Sequence, residues 1–500
     1  MFPLLLFLFA ALSHAQNVEL IEKSSLWRMQ IGVFEDDWNT LGFDDDDWRQ
    51  GDAQIGFGQQ DQPTNLSWPP ENVTLYLRYP FTPTDPSAYE DLALDLLAND
   101  GAAVYLNGVE VYRVNLPAGA LDEDTRALSP VPPGAEHRFD SVILDNTLVA
   151  GENVLAVEVH LHHPDAPDLS FDLGLSGSDG LVNIVRGPYL QMGTHKQMTV
   201  RWRTDRPTPS TVWYGSSAGD LGDQVKVDEV TTEHEVRLTG LTPEADYWYA
   251  VGDHAEQLAG DVSYRFRTAP RPGVARPTRV WVVGDAGTAG FGAVLVRDAY
   301  RAFNDQRTDL WLMLGDNAYN DGTDAEYQAA LFDMYPDTLR TVTSWPTLGN
   351  HDGQAANSDA ELGPYFDIFT LPSAGEAGGV PSGTEAYYSF DHSNVHFIVL
   401  DSYDSDKQQG SPMLLWLVED LLANDADWTV AFWHHPPYTK GTHNSDTETD
   451  HIVMRGNVLP ILEGYGVDLV LGGHSHGYER SYLLDGHYGL SETLQPSNIL

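Results

Sequence analysis

The chain contains no cysteine. That removes disulfides and thiolate chemistry together, and it leaves any metal site to imidazole, carboxylate, amide or phenolate donors. Basic residues are scarce: Lys and Arg number 27 against 74 Asp and Glu, for a formal net charge of -47. Binding to a nucleic-acid backbone or an anionic lipid surface by charge attraction is therefore disfavoured, and no nucleic-acid partner is expected. So acidic a surface repels itself and suits a salty medium that screens the repulsion. Long apolar runs are also missing, apart from Leu4 to Leu12 within MFPLLLFLFAALSHA, and that run is shorter than the ~20 residues a bilayer span needs. Ser13-His14-Ala15 follows it with small residues at the two positions a signal peptidase reads. Residues 1–15 thus predict an export signal, a secreted, extracellular or periplasmic destination, and no membrane span.

What the chain does have is length and apolar content. Its 500 residues are 42% hydrophobic and 11% aromatic, enough for several cores and too much for a chain disordered throughout. At roughly 150 residues per domain, about three domains are expected. From Gln16 to about Gly180, short alternating apolar runs are broken by Gly, Pro, Asn and Asp with no helical period, which predicts an all-β sandwich. Leu92–Leu97, Ala103–Leu106 and Val154–Val159 are expected strands, with Asn99-Asp100-Gly101 and Asn107-Gly108 as hairpin turns suited to positive φ. The acidic run Asp44–Asp47 lacks the spacing of a tight calcium loop and predicts a solvated turn. His160, His162 and His163 end a strand on a Pro-containing loop and predict a surface group. Asn65-Leu-Ser67 and Asn72-Val-Thr74 are glycosylation sequons, relevant only in a eukaryotic secretory route.

A second β-rich block, 181–270, has period-two runs at Met198–Arg203, Thr211–Tyr214 and Glu235–Leu238. Leu241-Thr-Pro-Glu-Ala-Asp-Tyr247 has the spacing of a tyrosine corner in immunoglobulin or fibronectin type III sandwiches. Such a small sandwich would serve as a spacer or lid support. Pro270, Pro272 and Pro277 then predict a stiff linker.

From 277 to 500 the pattern changes, because apolar strands alternate with amphipathic stretches such as Ala293–Phe303 and Leu414–Leu422, as stacked βα units require. Five strand-like runs end in polar donors: Gly284-Asp285, Gly315-Asp316-Asn317-Ala318-Tyr319, Gly349-Asn350-His351-Asp352, His434-His435-Pro436, and Gly473-His474-Ser475-His476. The carboxyl ends of strands in an open α/β sheet share one edge, so these loops should converge on a single crevice. A purely structural role would bury Asp285 and Asp316 without cationic partners, at several kcal/mol apiece. Metal ions are the economical counter-charges. The inventory divides into two sites, with Asp316 able to bridge: Asp285, Tyr319 and His476 around one ion, Asn350, His434 and His474 around a second, nearly neutral one. A phenolate favours a trivalent ion and the neutral set a divalent one. Counting roughly -3 from the anionic side chains and about -1 from a bridging hydroxide against about +5 for the ions leaves a net near +1, which attracts a phosphate dianion.

Three resemblances follow from these residues. Asn99–Tyr112 with Gly151–His160 resembles the galactose-binding-like jelly rolls appended to secreted enzymes, which implies a jelly roll over 16–180 and at most an accessory carbohydrate or cell-surface contact. The five donor motifs, with Tyr478-Glu479-Arg480 after the last, resemble the metal-binding blocks of purple acid phosphatases within the calcineurin-like metallophosphoesterases. The 181–270 block resembles their fibronectin-like N-terminal domain, so the likeness runs from about Val182 to the end. It implies a four-layer α/β/β/α catalytic domain behind two all-β sandwiches, and a centre of Fe(III) plus a divalent Zn, Mn or Fe. Asp285, Tyr319 and His476 would bind Fe(III), Asp316 would bridge, and Asn350, His434 and His474 would bind the divalent ion. His351 would face the phosphate as donor or proton source, and His443 matches a substrate-facing histidine. His434 is expected to be the ligand in place of its neighbour His435. Ala431 stands where the family usually has Val. Only 24 residues follow His476, where the family's fold continues with further strands, so the likeness implies a domain that is C-terminally incomplete or short of part of that sheet. The implied activity is an acid phosphatase that cleaves small phosphomonoesters through a metal-bound hydroxide. The alternatives are a phosphodiesterase or nucleotide pyrophosphatase of the same superfamily and, from another class, a non-catalytic glycan- or surface-binding protein.

Overall fold

The computed structural model describes residues 18–32, 36–58, 62–131, 139–178, 180–303 and 306–500; the export signal expected at 1–15 lies outside them. The chain divides into two compact units, Met1–Asn183 with Asp205–Pro207, and Ile184–Thr204 with Thr208–Leu500. No helix among the described residues is long and apolar enough to cross a membrane.

The first unit contains two six-stranded sheets. Their facing residues form one core around Trp27, whose ring meets Phe171 edge-on at 5.0 Å. Asn107-Gly108 joins the antiparallel strands Gly101–Leu106 and Val109–Val114 with φ of 54° and 85°, the positive values a tight hairpin demands. The Asn99–Gly101 expectation is corrected, because Asp91–Asn99 and Gly101–Leu106 belong to different sheets and the turn carries the chain between them. Asp45 is also not solvated: it is buried against Arg28 and Arg78, accepting from Arg78 Nε at 2.7 Å. His160 is buried too, its Nδ1 bonded to Thr74 and to the Thr125 carbonyl oxygen, and His162 Nδ1 pairs with Asp100 at 2.5 Å. Only His163 of the three is largely exposed. The strand Asn153–His160 is covered on both faces, so its end is as dry as its middle.

In the second unit, six strands from Ile184 to Arg267 form a single sheet folded over its own core. Met198–Arg203 and Thr211–Tyr214 turn out to be parts of one strand, Gln197–Gly215, whose register slips around Thr208, where Pro207 and Pro209 cannot donate to a ladder. The tyrosine corner is present, with the Thr242 amide donating to Tyr247 Oη at 2.9 Å. Arg203 holds Asp324 bidentately at 2.7 and 2.8 Å, Arg186 adds a third contact at 2.9 Å, and Arg201 donates to the Ile368 carbonyl at 2.7 Å. These bonds tie this sheet to the αβ region that follows.

That region has two sheets, the number that the four-layer expectation requires. Val280–Val283, Leu310–Met313 and Thr343–Pro346 are parallel; Tyr388–His392, Val395–Val399, Trp428–Trp433 and Leu469–Gly472 form a mixed sheet. They share one core, in which Trp345 and Phe390 stack at 3.8 Å, one from each sheet. The helix Pro412–Ala423 begins on a Ser411 cap with Pro412 in its first turn, and it buries Met413, Leu414, Trp416, Leu417 and Leu421.

Candidate metal centre

The carboxyl ends of five strands, drawn from both sheets, meet. Three of the expected donors, Asp285, Asp316 and His474, sit in left-handed backbone at φ of 57°, 53° and 63°. This costs on the order of 1 kcal/mol for each non-glycine residue and persists only where the surroundings enforce it. Neighbouring glycines permit the crowding: a Cβ on Gly349 would lie 2.2 Å from the Asp316 amide nitrogen, and one on Gly473 would lie 2.6 Å from the Leu314 carbonyl oxygen.

Asp316 is at the middle, its side chain 2% exposed. Its Oδ2 lies 3.0 Å from Tyr319 Oη on one side and 3.3 Å from His434 Nε2 on the other. Around Tyr319 Oη gather Asp285 Oδ1 at 3.2 Å and His476 Nε2 at 3.3 Å. Around His434 Nε2 gather Asn350 Oδ1 at 3.0 Å and His474 Nδ1 at 3.1 Å. All seven expected donors therefore share one small volume, divided into the two expected groups. His434 Nδ1 bonds the Leu314 carbonyl at 2.8 Å, which fixes its tautomer and presents Nε2 to the group. His435 commits its Nδ1 to Ser402 Oγ at 2.9 Å and packs beside His474, ring centroids 4.4 Å apart.

The electrostatics show a site short of positive charge. Among the described residues no Lys or Arg pairs with Asp285 or Asp316. Burial pushes Asp285 up, with the neighbouring Asp316 charge adding to it. Burial opposes ionisation of Asp316 as well, yet its hydrogen bond to His434 holds it down to about 2, and the same bond lifts His434 to about 9 against its own burial. Burial and the adjacent His434 lower His474 to about 3, while burial with the two aspartates raises Tyr319 well above the ordinary phenol range. A proton on His434 thus provides the counter-charge a cation would supply. Oxygen and imidazole donors on both sides of one buried carboxylate fit a pair of cations bridged by Asp316.

Two substrate-facing candidates adjoin the group. His351 packs against Tyr319 with ring centroids 4.4 Å apart, its amide bonds Asp316 Oδ1 at 2.9 Å, and its Nδ1 lies 2.5 Å from the Asn320 carbonyl oxygen. His443 lies 3.8 Å from His474, ring to ring, with Nδ1 2.8 Å from Glu448 Oε2. The motif reading passed over Asp352. This buried carboxylate accepts from the Asn317 amide at 3.0 Å, the Asn317 side chain at 3.0 Å, the Gly349 amide at 2.9 Å and Tyr327 Oη at 2.6 Å. It clamps the loops of Asp316 and Asn350 together, and the Gly-Asn-His-Asp run was its only trace in the sequence.

Residues 278–478 match the calcineurin-like phosphoesterase family, and residues 185–268 match the purple acid phosphatase N-terminal domain. The chain therefore carries a calcineurin-like phosphoesterase domain behind a domain similar to the N-terminal domain of purple acid phosphatases. Purple acid phosphatase 15 of Arabidopsis thaliana is 30% identical over 275 residues, covering 50% of this chain and 49% of that protein. Purple acid phosphatase 23 of the same plant is 29% identical over 326 residues, covering 55% and 68%. The solved purple acid phosphatase PPD1 from yellow lupin (Lupinus luteus) seeds aligns over 80% of this chain and 77% of that one, at 14% identity and a TM-score of 0.42. The chain spans about half the length of the first of these relatives. The purple acid phosphatase family implies a binuclear metal centre, and the converged donors fit one.

Proposed function

We propose that this chain is an exported phosphohydrolase that removes phosphate from small phosphomonoesters at a two-cation centre. The observation that carries the reading is the place of Asp316, whose one buried carboxylate touches both Tyr319 and His434. Asp285, Tyr319 and His476 would hold a ferric ion, and Asn350, His434 and His474 a divalent Zn, Mn or Fe. When bound, such a pair supplies positive charge for a phosphate dianion and acidifies shared water.

The protein's own part is orientation and proton handling. His351 has Nδ1 committed to the Asn320 carbonyl, so Nε2 is the nitrogen left to carry a proton to a departing alkoxide. His443, beside His474, is the second residue assigned to the substrate. Domains at 16–180, 181–270 and 277–500 remain our division of the chain, with the first as a galactose-binding-like accessory domain that contacts carbohydrate. Two sheets sharing one core, with Phe291–Phe303 and Pro412–Ala423 as helices of this region, support the four-layer reading. The apolar run Leu4 to Leu12, followed by Ser13-His14-Ala15, supports export.

The test is metal analysis with a visible spectrum of wild type and Tyr319→Phe, alongside turnover of 4-nitrophenyl phosphate and its bis ester. The reading expects iron plus a divalent metal, a charge-transfer band lost in Tyr319→Phe, and faster monoester turnover. A band present in both proteins removes Tyr319 as the phenolate donor. Faster bis-ester turnover reassigns the chain as a phosphodiesterase, and metal-loaded protein without turnover that is retained on glycans makes it a binding protein.

A further inference from the structure

A second group of donors lies beside the centre. His451, on the helix Thr449–Val453, is completely buried. Its Nδ1 is 2.5 Å from the Pro436 carbonyl oxygen. A carbonyl can only accept, so Nδ1 holds the proton, and in the neutral ring Nε2 is a bare lone pair. That Nε2 has no hydrogen-bond partner, and it faces Glu448 Oε2 at 3.5 Å. A buried, unpartnered lone pair facing the oxygen of a part-exposed carboxylate is unfavourable unless positive charge stands between them. The same Oε2 lies 2.8 Å from His443 Nδ1 and 3.6 Å from His474 Nε2, and the donor atoms of all four residues fall within 4.8 Å of one another. Nitrogen and oxygen ligands at ~2.0–2.1 Å around a tetrahedral zinc ion stand about 3.3 Å apart, and the observed spacings bracket that value.

We propose that Glu448, His443 Nδ1 and His451 Nε2 form a third cation site, for a divalent ion of zinc-like borderline character, with the substrate role of His443 then falling to its Nε2. The bond from His451 Nδ1 to a backbone carbonyl repeats the arrangement of His434, whose Nδ1 bonds Leu314 and whose Nε2 is the presented nitrogen. His474 stays outside the set: it turns Nδ1 toward His434 at 3.1 Å, so its proton sits on Nε2, facing the Glu448 carboxylate. This placing of the His474 proton rests on the two-cation reading; the other three donors do not. Three protein ligands leave the fourth position open, so the new ion would add positive charge beside the phosphate pocket.

The experiment uses the full chain, stripped with a chelator, dialysed against zinc ion alone and assayed for zinc per chain. Three equivalents are expected for wild type and two for His451→Gln and for Glu448→Gln, with circular dichroism confirming that each variant folds. Diffraction from wild-type crystals at the zinc absorption edge should place an anomalous peak between Glu448 Oε2 and His451 Nε2, a readout that needs no variant. Equal zinc content in wild type and both variants, or no peak at that position, overturns the proposal. Asp316→Asn separates the two readings, since it should empty the paired centre and leave this peak in place.

Discussion

Replacing Asp352 with Ala isolates the link between the frame of the site and its donors. The carboxylate accepts from the amides of Asn317 and Gly349, from the Asn317 side chain and from Tyr327 Oη, at 2.6–3.0 Å. In Asp352→Ala the Asn317 side chain keeps its bond to the Thr347 carbonyl at 3.2 Å. The other three donors are stranded in a fully buried place. Each costs ~1–3 kcal/mol, and a water entering the vacated space can satisfy one of them, so the loss is about 2–6 kcal/mol. Because the freed loops carry Asp316 and Asn350, zinc affinity should fall 10–100-fold, the usual consequence of removing a group that orients metal ligands.

The control is Asp352→Asn. Burial and the neighbouring Asp316 charge already push the Asp352 carboxyl up to about 6, so a neutral amide is close to a form this site tolerates. Its oxygen can take the Gly349 and Asn317 side, while Tyr327 rotates its hydroxyl to accept from the amide nitrogen. Most stability and zinc affinity should return. Zinc titration calorimetry and the thermal midpoint measure both effects. Wild-type zinc affinity in Asp352→Ala would refute the claim that this carboxylate sets the spacing of the two loops.

Three further outcomes follow from the same geometry. In Gly349→Ala the new Cβ would lie 2.2 Å from both the amide nitrogen and Oδ1 of Asp316; displacing that residue by even ~1 Å should lower turnover about 10²-fold, and near-normal turnover would show that the loop has slack. Zinc must displace the proton that Asp316 stabilises on His434, whose pKa stands at about 9, so affinity should rise about tenfold per pH unit between pH 6 and 8, and a flat profile there contradicts the assignment. Away from the centre, burial opposes protonation of His396, but Asp391 at 2.7 Å and Asp420 at 2.8 Å lift it to about 9. A raised folded pKa contributes stability that is fully present below about 6.5 and is lost as pH rises through 9, on the order of 3 kcal/mol. Denaturant unfolding of wild type and His396→Gln should therefore converge between pH 6 and pH 10, and a constant difference would remove this pair of carboxylates as the cause.

The parts legible in the sequence were those set by local chemistry. A polar donor beside glycine at the end of an apolar strand reports a loop at a sheet edge, whichever sheet the strand joins, so the convergence of the seven residues could be read from their motifs, whereas the two sheets were expected only from the family resemblance. Asn107-Gly108 was legible for the same reason, since a two-residue turn with positive φ needs those residues. Asn99-Asp100-Gly101 has like chemistry but passes between sheets, and only tertiary pairing distinguishes the two cases. His160, Asp45, Asp352 and His451 are polar residues whose burial comes from distant parts of the chain, such as Thr74 for His160 and Tyr327 for Asp352. No period or spacing carries that information.

The small β domain was expected to be a spacer or lid support, and its arginines point to a more direct role. The helix Asp324–Tyr327 is four residues long, far below the ~12–15 residues at which a helix persists unaided, so its position has to come from its ties. At its start, Arg186 and Arg203 grip Asp324 at 2.7–2.9 Å. Within it, Glu326 closes a capping box with Thr323 and also accepts from the amides of Asn320 and Asp321, immediately after Tyr319. At its end, Tyr327 donates to Asp352. One short helix thus carries the position of the small domain to the phenol on one side of Asp316 and to the clamp that holds Asn350 on the other. Three donors in left-handed backbone need such external restraint, because nothing in their own conformational preference would keep them there. The small β domain at 185–268 is on this account part of the frame of the candidate metal centre.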